Sequence, residues 1–174
     1  MTALFDITVP SALHGVARAR HLLARIGDEG RGELLGVRLT PDMFDCAAQM
    51  RMVSIMALRA TYPMIGQDWP REITQDRYVA DLSGLDEGMV LVEAQIAKLT
   101  PADFEGSVER IVTHRAGFAD LKQPALDYVT RFALPNMWFH LSMAYAILRS
   151  GGMELGKADF DGLHAYPAGF RFDN

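Results

Sequence analysis

Twelve consecutive residues, Met137 to Leu148 (MWFHLSMAYAIL), carry no charge. A helix that is apolar around its whole circumference must be covered on all sides, so this segment is predicted to be the central helix of a bundle. Gly151-Gly152 supplies its C-terminal stop. Upstream, Tyr78, Leu82, Leu85, Met89, Val92, Ile96 and Leu99 follow a strict alternation of three and four. That spacing lays their apolar side chains along one stripe, as packing in a left-handed bundle requires. It predicts a helix from about Gln75 to Leu99, although Gly84 and Gly88 each cost about 1 kcal/mol relative to Ala.

The remaining segments are punctuated by Pro and Gly. Pro10-Ser11 opens a predicted first helix that runs to Ile26, with Leu13, Val16, Leu23 and Ile26 near one face. The turn-rich stretch Gly27 to Gly36 is expected to be a loop. Thr40-Pro41-Asp42 offers a hydroxyl for an orphan N–H, a preset φ and a negative charge, the chemistry of a helix start. The second helix is predicted to run from there to Tyr62, where Pro63 stops it. Met64 to Ile73 is a connection, and Thr100-Pro101-Ala102-Asp103 repeats the capping chemistry in one short turn. Between Ser107 and Leu121, Val108, Ile111 and Val112, followed by Gly117-Phe118, predict two short strands around a polar turn. Gln123-Pro124 is expected to reopen helix through Ala125, Val129 and Phe132, until Pro135 interrupts it.

A chain of 174 residues should bury about 70% of its unfolded surface in one core. One domain over residues 1–174 is expected, with an irregular tail from about Met153. The 17 Lys and Arg stand against 22 Asp and Glu, a net charge of −5 that disfavours non-specific nucleic-acid binding. Cys46 is the only cysteine, so neither an intramolecular disulfide nor a Cys-based zinc site is available, as a reducing cytoplasm permits. The opening MTALFDITVPSALHG lacks the features of a signal peptide, and no stretch of about 18 apolar residues could span a bilayer. The expectation is a cytoplasmic protein with no membrane partner.

No HExxH, GxSxG or Walker lysine loop is present. Gly30 to Gly36 approximates a dinucleotide loop, but its third glycine falls one residue late and no strand precedes it. His14, Arg18, His21 and Arg25 share one helical face, where cations would repel a metal; a solvated face is expected. His114, beside Arg115, is also expected to be solvated. Asp159 to His164 brings two carboxylates and an imidazole together in what is expected to be turn and capping chemistry.

His140 stands apart, because it lies inside the charge-free helix and a buried ring needs partners for its nitrogens. Asn136 is one helical turn before it on the same face. On the second helix Gln49 shares a stripe with Cys46, Val53 and Met56, so it too is aimed inward. The three side chains suit either a buried network that fixes helix register or a ligand pocket. One His with two carboxamides is a poor ligand set for zinc.

At these residues the chain resembles a known family. Phe132-Ala133-Leu134-Pro135-Asn136, Phe139-His140 and Ala144 to Arg149, with Gly152 and Leu155-Gly156-Lys157, resemble an uncharacterised domain-of-unknown-function branch of the DinB/YfiT-like metalloenzyme superfamily of bacteria. Leu39 to Phe44, with Gln49 after it, matches the branch's other typical stretch. The resemblance implies an all-α fold, a four-helix bundle in up-down-down-up order, often dimeric; the short hairpin expected from the residues between Ser107 and Leu121 would precede its last long helix. In metal-binding members a His on the second helix and an HxxxH pair on the last helix hold a divalent cation. Some members resemble thiol-dependent S-transferases. Those ligand positions fall here on Gln49, Asn136 and His140, so one ligand of three survives and metal binding is doubtful.

Two functional readings stay open on the sequence. The first is a small-molecule-binding protein or enzyme with a degenerate metal site, using His140 as base or hydrogen-bond partner with Asn136 and Gln49 orienting the ligand. The second is a non-catalytic, dimeric structural or interaction protein. It draws on the missing ligands and on Met43, Met50, Met52, Met56 and Met64, since methionine suits irregular cores and interfaces alike.

Overall fold

The structure is a computed structural model that describes residues 3–73, 79–167 and 170. Among the described residues, four long helices enclose the core: α1 (Ala3–Asp28), α2 (Cys46–Thr61), α3 (Leu82–Ile96) and α5 (Leu134–Ser150). A short α4 (Ala125–Tyr128) runs into α5 through a π turn at Val129–Ala133, and α6 (Lys157–Asp161) lies beyond it. One antiparallel hairpin, β1 (Ile111–Ala116) and β2 (Ala119–Pro124), precedes α4. The predicted helical bundle and hairpin are both present.

The first helix begins earlier than Pro10. Leu4, Thr8 and Val9 extend the buried stripe of Ala12, Val16, Ala19, Leu22, Leu23 and Ile26 back across the proline. Phe5 meets the buried Phe104 edge-on at 5.4 Å, and the Thr8 hydroxyl donates to the Leu4 carbonyl at 2.6 Å. Apolar burial therefore carries helix through a residue that removes one backbone bond. Phe104 ends the Pro101–Phe104 turn, closed by the expected capping box between Thr100 and Asp103.

Thr40-Pro41-Asp42 does not start α2. It forms a turn in which the Thr40 hydroxyl donates to the Asp42 carboxylate, so the hydroxyl is satisfied locally. The cap is Asp45, whose carboxylate accepts the Ala48 N–H at 2.8 Å. Helix α3 likewise starts at Leu82 rather than near Gln75, capped by Asp81 through the Gly84 N–H at 2.8 Å. Leu85, Met89, Val92 and Ile96 of the predicted stripe are buried, whereas Gln75 and Tyr78 lie outside the described residues.

Gln123 and Pro124 belong to β2, not to helix. Gln123 pairs with Val112, and Pro124 ends the strand, where no amide hydrogen is needed. Val108 is an exposed loop residue outside β1. Gly117, at φ 59°, leads the two-residue turn, a conformation open to glycine without steric cost. Pro135 does not break the last helix. The Leu134 N–H bonds back to the Val129 carbonyl in the π turn, so Pro135 falls in the first turn of α5, where a missing N–H is tolerated.

Met137, Leu141, Ala144, Ile147 and Leu148 of α5 are fully buried, but the helix is not covered all round. Phe139 is 50% exposed. Another side is covered by the tail, through Phe160 against Trp138 and Tyr145 at 6.3 and 5.7 Å. That tail is therefore partly ordered as α6. His21, Arg18 and Arg25 are not merely a solvated face, because they hold it in place. Asp159 Oδ1 accepts from His21 Nε2 and Arg25 Nη1, each at 2.8 Å, and the Asp159 carbonyl accepts from Arg18 at 3.1 Å. Asp159 Oδ2 and Asp161 supply the expected capping, on the Gly156 N–H and on the Leu163 and His164 N–H groups.

Candidate functional site

The inward stripe of α2 and the buried stripe of α5 meet at Gln49 and His140, which are 2% and 8% exposed. His140 Nδ1 lies 2.7 Å from Gln49 Oε1, a contact between residues 91 positions apart. A carbonyl oxygen can only accept, so the ring hydrogen sits on Nδ1 and the lone pair on Nε2. Burial pushes the His140 pKa below its ordinary value of 6.5, and the ring is neutral at pH 7. Phe139 stands edge-on to the imidazole at 5.2 Å, and Phe44 stacks on it at 6.3 Å. Both phenylalanines are half exposed, so the imidazole lies beneath an aromatic rim rather than in the deepest core.

Asn136 does not join this pair. It is half-buried and its amide donates to the Phe132 carbonyl at 2.6 Å, within its own helix. That carbonyl lies in the π turn, where the helical ladder changes register. The sequence brought Asn136 onto the right helix and turn, but its amide serves the backbone.

The donor set does not fit a divalent metal. Gln49 offers its oxygen to the His140 ring, Asn136 is committed to a carbonyl, and among the described residues no group of three or more His, Cys, Asp or Glu could hold an ion. Cys46, one turn before Gln49, is fully buried, and burial, with Asp45 beside it, pushes its thiol up to about 12. It is not a nucleophile at neutral pH. The His14 ring lies 6.0 Å from that of Trp138.

One group was read too simply from the sequence. His114 is half-buried in the hairpin, not solvated; Nε2 bonds Gln123 Oε1 at 2.7 Å and the ring packs on Phe132 and Tyr128 at 4.3 and 4.8 Å. The register of β1 and β2, with His114 opposite Leu121 and two residues from Gln123, makes this contact, which the expectation of helix at Gln123 hid.

The helical order, with one antiparallel hairpin before the last long helix, defines a helical bundle. A solved structure described as a DinB family member protein from Shewanella denitrificans matches over 95% of this chain and 96% of that one, with TM-score 0.81 and 22% identity. The chain belongs to the family described as Domain of unknown function (DUF1993), whose model matches residues 4–161. No curated protein matches the chain. No helix among the described residues is long and apolar enough to cross a membrane.

Proposed function

We propose that this DinB-like protein binds a small molecule at the His140–Gln49 pair without a metal, and that His140 Nε2 is the atom that accepts a hydrogen bond or a proton from it. The observation that carries this reading is the 2.7 Å contact that fixes the imidazole hydrogen on Nδ1. A neutral ring with an oriented lone pair is suited to a weakly acidic O–H or S–H donor. Phe44 and Phe139 supply apolar contact for the rest of such a ligand. The buried free thiol of Cys46 supports action in a reducing, cytoplasmic compartment.

Thermal-shift measurements with phenols, thiols and divalent metals test the proposal. Phenols or thiols are expected to raise the melting temperature of the wild type and not of His140→Leu or Gln49→Leu, while metals have no effect. If no phenol or thiol shifts the wild type, or if both variants respond equally, the reading fails. A homodimer is a second reading, favoured by Phe44 and Phe139, which leave 51% and 50% of their surface uncovered. Of the methionines, Met50, Met56 and Met64 are buried in the core and lend it nothing, whereas Met43 and Met52 are half-buried. Sedimentation of the wild type against Phe139→Ser separates the two readings.

A further inference from the structure

The hairpin has two edges, and they differ. On β1 the Arg115 carbonyl accepts from Arg59 of α2 at 2.9 Å, so that edge lies against the bundle. The two-residue turn Gly117-Phe118 closes on the pair Ala116 and Ala119. Antiparallel pairing alternates, so Ala119, Leu121 and Gln123 turn their N–H and C=O groups toward β1. Those of Asp120 and Lys122 point away, and among the described residues no backbone bond outside the strand takes them up. Val112 is 6% exposed, whereas Leu121, on the same face of the sheet, is 36% exposed. The bundle therefore lies under β1, and β2 overhangs it.

A free edge is ordinarily blunted by a charge, because pairing would leave that charge without a partner. Lys122 stands on this edge, but Asp120, two residues earlier, can supply its mate. When two copies of β2 pair antiparallel about a two-fold axis at Leu121, Asp120 of each faces the partner's Lys122. These are the residues whose backbone groups point outward, so each such pair also exchanges both its N–H···O bonds. Within its own hairpin Asp120 already lies 3.8 Å from Arg115, and the carboxylate then sits between two cations. Moving the axis one residue, to Asp120 or to Lys122, would set like charges against each other, so the charges select one register. That register carries Phe118, 97% exposed at the turn, to the level of the partner's Pro124.

We infer that the β2 edge is a homodimer interface, where a second copy of this chain joins the two hairpins into one four-stranded sheet. It uses neither Gln49 and His140 nor the rim of Phe44 and Phe139.

Sedimentation velocity of the full chain, loaded from about 5 to 200 μM, tests the interface. Two short strands make a small contact, so a reversible dimer is expected in that range. Asp120→Lys and Lys122→Asp each set like charges across the seam and should each weaken the dimer at least about tenfold. Both side chains are exposed, so neither change disturbs the core. Mixed in equal amounts, the two variants offer each other only opposite charges at these positions and should dimerise again. Leu121→Cys should give a disulfide-linked dimer under mild oxidation, because the axis sets it against itself in a close, non-hydrogen-bonded pair. Cys46 is fully buried and does not compete. Ala119→Cys should not cross-link, since its two copies would lie about 14 Å apart. A wild type monomeric throughout, charge variants that dimerise as well as the wild type, or a mixture that stays monomeric would overturn the proposal. So would a dimer abolished by Phe139→Ser, which would place the contact at the α2–α5 rim.

Discussion

Asn136 and His140 are one turn apart on α5, yet they do different work. The amide of Asn136 satisfies the Phe132 carbonyl, while the ring of His140 reaches across to Gln49. Asn136→Ala should therefore cost about 1 kcal/mol, the net value of one hydrogen bond, in urea denaturation. It should leave the titration of His140 unchanged, because no hydrogen bond joins the two. The depressed pKa of His140 has its own consequence. The unfolded ring takes up its proton near pH 6.5 and the folded ring only at lower pH, so the unfolded state binds more protons in between. Stability is expected to fall as pH drops below about 6.5, until the folded ring also titrates. Denaturation midpoints measured from pH 7.5 to 5 should show a shallower fall for His140→Gln than for the wild type. Gln49 was legible because its neighbours on the stripe, Cys46, Val53 and Met56, are all apolar and buried. The role of Asn136 was not, since an amide on a helix can bond either across the interior or back to its own backbone.

Elements were easiest to read where periodicity is long. The stripe of α3 and the charge-free run of α5 predicted their helices, and the Thr100–Asp103 box predicted its turn. Boundaries failed where two local rules competed. Pro10 looked like a first-turn proline, but the buried Leu4 and Thr8 extend the helix behind it; Thr40 looked like a cap, but Asp45 holds that position. The π turn has Pro135 as its only trace in the sequence. The contact between α1 and α6 was hidden for another reason: His21 and Asp159 are 138 residues apart, and no local pattern joins them. Burial opposes ionisation of Asp159, yet the His21 ring, the Gly156 N–H and the Arg25 guanidinium hold its pKa below 3.8. That contribution is present above the unfolded value and is lost as pH falls through the lower folded one. Asp159→Asn is expected to cost about 1 kcal/mol, discounted for partial exposure, and to speed hydrogen exchange at 157–161. Unchanged exchange there would show that Phe160 alone holds α6.

At the scale of the whole molecule, the bundle separates two chemistries. The hairpin alternates cation and carboxylate through Arg115, Asp120 and Lys122, whereas the α2–α5 seam keeps a neutral imidazole among phenylalanines. Composition could not reveal the first, because a net charge of −5 averages over such alternation. Nor could it reveal the second, which exists only when α2 and α5 pack in this register. The central claim is that this packing sets the tautomer of one ring. Long-range proton–nitrogen NMR of the folded protein at pH 7.5 reads that tautomer directly. The account predicts that the His140 hydrogen resides on Nδ1, with the bare nitrogen signal at Nε2, and that Gln49→Leu removes the preference. A hydrogen found on Nε2 in the wild type would contradict it.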